Sequence, residues 1–186
     1  RLVELYPDAS PEFFGWIIPS GRGRARIGLC GTQDIPERFD RFLRTAGAES
    51  CLQLVSGTLP LGVMPRTYGH RTLFVGDAAG FPKPTSGGGV YTGVRSARHA
   101  ARAAAEACRR NDFSDRALAR YEKSWKADIG SELESGLRIF RLRQQITPGE
   151  MDRLVQSLCK PGVISDILAY ADLDRPGTII RRVIGN

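Results

Sequence analysis

Arg71 to Ala97 reads RTLFVGDAAGFPKPTSGGGVYTGVRSA, and the order of its parts decides the fold. Thr72-Leu73-Phe74-Val75-Gly76 is a short apolar run with the length and composition of a strand buried on both faces of a parallel sheet. Gly-Asp and two alanines follow, then a loop over 80–89 that is rich in Pro and Gly. An Ala-rich helix is predicted from about Tyr91 to Arg110, with side chains small enough to pack closely. In open α/β sheets, ligands collect where strands end and such loops begin.

Each part has a physical use. Asp77 stands at the strand end, where a carboxylate can accept hydrogen bonds from sugar or polyol hydroxyls. Gly76, Ala78, Ala79 and Gly80 let a ligand approach the backbone. Gly87, Gly88 and Gly89 open the helix, where free N–H groups and the positive end of the dipole favour an anion or an electron-rich carbonyl. A reduced flavin, with charge gathered at its N1/C2 oxygen edge, is such a partner. The competing reading is structural: glycine loops between strand and helix are common, and an Asp there often only caps the helix.

Upstream, Phe13 to Pro19 reads as a strand and Ala25 to Gly31 as its return. The turn between them, Ser20-Gly21-Arg22-Gly23-Arg24, makes an antiparallel hairpin. Pro36 to Ala46 is predicted helical, with Phe39, Phe42, Leu43 and Ala46 on one face and Gly47 as the stop. Cys51 to Val55 and Thr58 to Leu61 read as short extended pieces.

Downstream, apolar residues recur at three-to-four spacing from Leu118 through Tyr121, Trp125, Ile129, Leu133, Leu137 and Phe140. Thr147-Pro148-Gly149-Glu150 has the form of a capping box, before a helix expected to bury Met151, Leu154, Val155 and Leu158. Pro161 is expected to start another helix carrying Ile164, Ile167 and Leu168, and Thr178 to Ile184 reads as a short amphipathic segment.

With 41% apolar and 25% charged residues, the chain has an ordinary globular balance. A net charge of +7 is compatible with nucleic acid, an anionic membrane face, a phosphorylated substrate or simply a solvated surface. The basic residues are dispersed and no zinc-finger or RNA-recognition spacing is present, so nucleic acid is not expected. Cys30, Cys51, Cys108 and Cys159 form no C-x-x-C pair; reduced cytoplasmic thiols, rather than a metal site or disulfides, are expected. The start at Arg1, without Met or an apolar leader, reads as the interior of a longer protein.

GDAAGFPKPTSGGGVYTGVRSA resembles the second FAD-binding motif of the geranylgeranyl reductases, within the flavoproteins folded like p-hydroxybenzoate hydroxylase. Gly-Asp-Ala-Ala-Gly is shared by many flavin enzymes, whereas Lys83 to Gly89 is more particular to the reductases. The resemblance implies that Asp77 binds the ribityl chain and that Gly87, Gly88 and Gly89 line the isoalloxazine, with Gly76, Ala78, Gly80 and Pro84 completing the cofactor site. A second match, Phe14-Gly15-Trp16-Ile17-Ile18-Pro19 with Gly28, resembles the family's substrate-side motif Tyr-x-Trp-x-Phe-Pro. It departs from the motif in Phe14 for Tyr, Ile18 for Phe, and an interval to Gly28 one residue longer. It implies that Phe14, Trp16, Ile18 and Pro19 face a prenyl chain, and it leaves no hydroxyl at position 14 for the chemistry. More weakly, the resemblance runs on through Ile164 to Ile180.

The resulting expectation is an α+β chain, part of a two-domain FAD-dependent oxidoreductase. Residues 1–57 would be distal substrate-binding sheet with one helix, 58–111 the C-terminal part of the FAD domain, and 112–186 a helical region. The implied activity is saturation of prenyl double bonds in lipids or pigments, with FAD reduced by NAD(P)H or another reductant. The protein would be cytoplasmic, with peripheral membrane contact through the lipid-like substrate. A monooxygenase or halogenase of the same fold, and a non-enzymatic interaction module, are the alternatives. No catalytic proton donor is identified; His99 reads as surface or packing and His70 as a loop residue. The G-x-G-x-x-G loop that binds the FAD pyrophosphate in this family has no counterpart here, because Gly21-Arg22-Gly23 lies in a hairpin turn. The 186-residue chain is therefore expected to purify colourless, and a yellow preparation with stoichiometric flavin overturns that reading.

Overall fold

Alternation along Phe14–Gly21 (β2) and Arg24–Cys30 (β3) builds an antiparallel hairpin, to which Glu4–Tyr6 (β1) adds in the order β1-β2-β3. Gly21 pairs with Arg24, so Arg22 and Gly23 form the loop, both with positive φ as a type I′ turn requires. The computed structural model describes residues 2–172, 174, 175 and 177. The amphipathic segment expected over Thr178 to Ile184 lies outside them.

The chain divides into two compact units, 1–57 with 140–156 and 58–139 with 157–186. In the first, helix Ile35–Thr45 (α1) packs on the sheet through Phe42, which stands edge-on to Tyr6 with ring centroids 5.1 Å apart. A Cβ at Gly15 would come within 2.9 Å of the Phe42 ring, so close packing requires glycine there. Arg38 donates to Glu12 at 2.7 Å, beside fully buried Ser10. Gly47 ends α1 in a Schellman arrangement: its N–H donates to the Arg44 carbonyl and the Ala48 N–H to that of Leu43.

In the second unit, Val90–Arg110 (α2) buries Thr92, Ser96, Ala100, Ala103 and Ala107, one face of small residues. Asp115–Trp125 (α3) packs on it, passes through a π-helical turn at Lys126–Gly130, and continues as Ser131–Arg143 (α4). Tyr121, Trp125, Ile129 and Leu133 from that rod meet Phe81 and Ala79 in the core, with Phe81 edge-on to Trp125 at 4.8 Å. The polar groups buried against this core are paired. The Tyr121 hydroxyl donates to the Phe74 carbonyl at 2.6 Å, and burial pushes its acidity well down. Trp125 Nε1 donates to Thr67 Oγ1, which with the Thr67 N–H donates to Glu122. Asp128, on the π turn, takes two hydrogen bonds from Arg95 and lies 2.9 Å from His99 Nε2, tying the rod to α2.

Some sequence readings are corrected. The apolar run 72–76 is not a buried parallel strand. Among the described residues only Thr72–Leu73 (β5) is ladder-paired, antiparallel with Tyr68–Gly69 (β4), and the rest packs half-buried beneath α2 and α3. An apolar run reports burial, and the partner that would make it a strand lies elsewhere in sequence. Cys51 to Val55 and Thr58 to Leu61 have no ladder partner among the described residues; Leu52, Leu54 and Val55 are exposed. The capping box forms as read, Thr147 N–H donating to Glu150 Oε2 and Glu150 N–H to Thr147 Oγ1. Yet helix Pro148–Leu158 (α5) leaves Leu154 45% and Val155 43% exposed, and Pro161–Tyr170 (α6) leaves Leu168 83% exposed. Periodicity identifies an apolar face without supplying what covers it.

Two predictions follow from these packings. Gly28 pairs with Trp16, and a Cβ there would lie 2.1 Å from indole Cζ2, so Gly28→Ala must turn the indole off the strand. The variant should shift tryptophan emission, at a stability cost of about 1–3 kcal/mol, and the shift should vanish in a Trp16→Phe background. An unshifted spectrum contradicts the packing. Asp128 is held at about 2, mainly by the Arg95 hydrogen bonds and then by His99. A carboxyl depressed in the folded state stabilises above its ordinary value and loses that contribution as pH falls through its folded one. Between about pH 4 and pH 2, the wild type should lose on the order of 1–2 kcal/mol that Asp128→Asn lacks at every pH. Denaturant melts across that window should converge; parallel curves contradict the assignment.

Candidate functional site

Val75 is extended and Gly76–Ala79 turns as one 3-10 helix, ended by Gly80 in the left-handed region. Gly76, Gly80 and Gly87 all have positive φ, which suits glycine alone at low cost. A Cβ on Gly80 would also lie 2.2 Å from the Gly62 carbonyl oxygen, so this corner is fixed from both sides. The Gly76 N–H donates to Ser96 Oγ at 3.2 Å, and Ser96 donates on to the Gly93 carbonyl. Ser96 is fully buried on α2 and thereby clamps the turn to the helix. Gly76 and Gly93 face each other, a Cβ on either standing in ordinary contact, 3.9 Å from the other's Cα.

This clamp aims Asp77. Its carboxylate is exposed, has no hydrogen-bond partner among the described residues, and places Oδ1 2.9 Å from where a Cβ on Gly89 would stand. Gly89 is the N-cap of α2, and no side chain caps the helix. The first-turn N–H groups of a 21-residue helix therefore open beside a bare carboxylate. The loop leading there is closed on Lys83: its N–H donates to the Gly88 carbonyl, and its own carbonyl accepts from Ser86 and Gly87. Pro84 is buried, and α4 approaches it so closely that a Cβ on Gly136 would lie 3.2 Å from its Cδ. Gly76, Asp77, Ala78, Gly80, Pro84, Gly87, Gly88 and Gly89 thus lie along one corner of the second unit.

The residues of that corner suit the hydroxyl-bearing and electron-rich parts of a flavin. A hydroxyl-bearing chain can reach the open Asp77 carboxylate. The glycines leave backbone exposed where side chains would intrude, and uncapped N–H groups face an electron-rich edge. Beside it is a cleft lined by Lys83, Thr85, Tyr91, Asp128, Glu132 and Arg175, among others. Asp128 in its lining is held by Arg95 and His99, a network that sequence reading missed. The signal available was the i, i+4 spacing of Arg95 and His99; nothing local marked Asp128 as their partner. His99 is neither free surface nor plain packing, since its ring nitrogen meets Asp128.

Phe14, Trp16, Ile18 and Pro19 lie on β2 in the first unit. Phe14, Trp16 and Ile18 alternate onto the face opposite Gly15, against which α1 packs. Phe14 and Trp16 meet edge-on at 5.9 Å, half-buried, and Ile18 is exposed. The indole lies flat over Gly28, giving that glycine a packing reason. Among the described residues, no group of side chains could hold a metal ion, and no helix is long and apolar enough to cross a membrane.

No protein-family model matches the chain. It is 32% identical to an uncharacterised protein of Methanocaldococcus jannaschii over 182 residues, 94% of this chain and 46% of the relative. It is 33% identical to digeranylgeranylglycerophospholipid reductase 2 of Methanothermobacter thermautotrophicus, over 84% of this chain and 44% of that enzyme. The fold is that of a geranylgeranyl bacteriochlorophyll reductase-like protein from Thermoplasma acidophilum, with a TM-score of 0.76 at 21% identity, covering 98% of this chain and 50% of that one. The chain spans about half the length of the relatives it matches, and along that span it is similar to the geranylgeranyl reductases.

Proposed function

We propose that this chain forms part of an FAD-dependent reductase that saturates double bonds of prenyl (geranylgeranyl) chains in lipids or pigments. The observation that carries the reading is the juxtaposition of the unpartnered Asp77 carboxylate with the glycine-opened, uncapped start of α2. The named reductases among the relatives support prenyl chains as the substrate class.

When bound, FAD supplies hydride transfer to an alkene carbon. The chain's own contribution is binding, orientation and exclusion of water. Asp77 would accept from ribityl hydroxyls, and Gly87, Gly88 and Gly89 would admit the isoalloxazine to the backbone. The first-turn N–H groups of α2 would favour negative charge at the electron-rich edge, worth about 0.3–2 kcal/mol. Phe14, Trp16, Ile18 and Pro19 would offer the apolar surface for the prenyl chain. Residues 1–57 would then belong to the substrate sheet, 58–111 to the FAD domain and 112–186 to the helical region. The reductant would be NAD(P)H or another donor, with the protein cytoplasmic and in peripheral contact with its lipid substrate's membrane.

The full-length protein carrying this sequence should bind FAD, and Asp77→Ala should weaken binding about tenfold or more through loss of hydrogen bonds to a charged acceptor. Asp77→Asn should lose less. Reduced anaerobically, wild type should saturate geranylgeranyl chains. Unchanged affinity in Asp77→Ala, or reductant oxidation that requires oxygen and leaves the prenyl chain unsaturated, overturns the proposal.

A further inference from the structure

The glycine loop is closed by backbone bonds that converge on one residue. The Lys83 N–H donates to the Gly88 carbonyl at 3.1 Å, and the Lys83 carbonyl accepts from Ser86 at 3.2 Å and Gly87 at 2.7 Å. The Lys83 side chain then folds under the loop it closes: a Cβ on Gly88 would stand 3.1 Å from Lys83 Cε and 3.5 Å from Nζ. The side chain is only 13% exposed, and its ammonium is bound by Asp174 at 2.6 Å.

Asp174 comes from beyond α6, 91 residues along the chain. It is not alone in reaching this corner. Arg175 donates to the Tyr91 hydroxyl, in the first turn of α2, at 3.1 Å. The Gly177 N–H donates to Glu132 Oε2 at 2.8 Å, and a Cβ on Gly177 would lie 2.6 Å from that same oxygen. Asp174, Arg175 and Gly177 therefore attach respectively to the loop, to the helix that the loop opens, and to the rod behind both.

Electrostatics explains why the first attachment carries the most weight. A buried ammonium beside the positive end of α2 is unfavourable in two ways, by desolvation and by the helix dipole. A carboxylate at 2.6 Å offsets both, which lets Lys83 stay folded beneath Gly88 rather than swing to water.

We propose that Asp174 is a positioning residue that acts through Lys83 to hold the 83–89 loop in its cofactor-receiving shape, Asp174, Arg175 and Gly177 serving as a clasp on the flavin corner. This deepens the flavin reading above and rests on it for the consequence on FAD, though not for the effect on the loop itself.

The test uses the full-length protein with Asp174→Ala, Asp174→Glu, Lys83→Met and the double variant Lys83→Met/Asp174→Ala. In cofactor-free protein, amide exchange over 83–93 should accelerate in Asp174→Ala and recover in Asp174→Glu, while exchange in α3 stays as in wild type. FAD affinity should fall about fivefold to tenfold in each single alanine or methionine variant, and the double variant should be no worse than either single one. Additive losses, or loop exchange unchanged in Asp174→Ala, overturn the clasp. If wild type binds no FAD, the flavin reading fails, and the clasp is judged on amide exchange alone. Should Asp174→Ala fail to fold, Asp174→Asn with the same exchange readout decides in its place.

Discussion

The hydrogen-bonded clamp of buried Ser96 on Gly76 and Gly93 is the constraint on which the candidate site in the second unit depends. Gly76 enters the 3-10 turn with a φ of 55°, the left-handed region that favours glycine. Ser96, buried one turn further along α2, converts proximity into register by accepting from the Gly76 N–H and donating to the Gly93 carbonyl. Once those atoms are fixed, Asp77 has little choice of position, and its carboxylate comes to rest against Gly89. A methyl group on Gly89 would collide with it. Gly76, through its positive φ, and Gly89, through its missing Cβ, thus serve one geometric end.

The clamp holds because the core behind it is both dry and polar-satisfied. Tyr121 and Trp125 are large, buried and each committed to a hydrogen bond, one to the Phe74 carbonyl and one to Thr67. Phe74 leads directly into Val75 and the turn, so the tyrosine anchors the entry to the site while Phe81, stacked edge-on to Trp125, anchors its exit. Losing either hydroxyl or indole N–H would strand a buried acceptor, which costs more than the bond's net worth. The π turn has a comparable consequence. Its extra residue carries Asp128 round to Arg95 and His99, a pairing that an uninterrupted α-helix would re-aim.

What was legible in the sequence follows from range. The hairpin, the Schellman stop at Gly47, the capping box at Thr147 and the span of α2 rest on residues a few positions apart, whose chemistry is visible in one window. The nearness of Asp77 to Gly89 was also readable, because both lie in one short window of sequence. Readings failed where an outcome depended on distant partners. Leu73 to Val75 had the composition of a parallel strand but pack against α2 and α3 instead. Val155 and Leu168 had helical spacing but no cover. Ser96, Asp128 and Asp174 looked ordinary because their partners lie 20, 33 and 91 residues away.

The balance of charge around the start of α2 sharpens what the corner can accept. Lys83 is matched by Asp174, and Arg95 by Asp128, so these charges largely neutralise one another. Asp77 stands apart as a carboxylate with no hydrogen-bond partner among the described residues, although a helix N-terminus opens beside it. Had Asp77 been a simple cap, its oxygens would have taken the first-turn N–H groups; they do not. Acceptor and donors are therefore both left with unused capacity on one side of the same glycine loop. A ligand suited to both must donate hydroxyl hydrogens at one point and present an electron-rich edge a few ångströms on. The ribityl chain and the isoalloxazine of a flavin meet those two demands in one molecule, whereas a lone phosphate or a metal ion would satisfy only one of them and be repelled or ignored by the other.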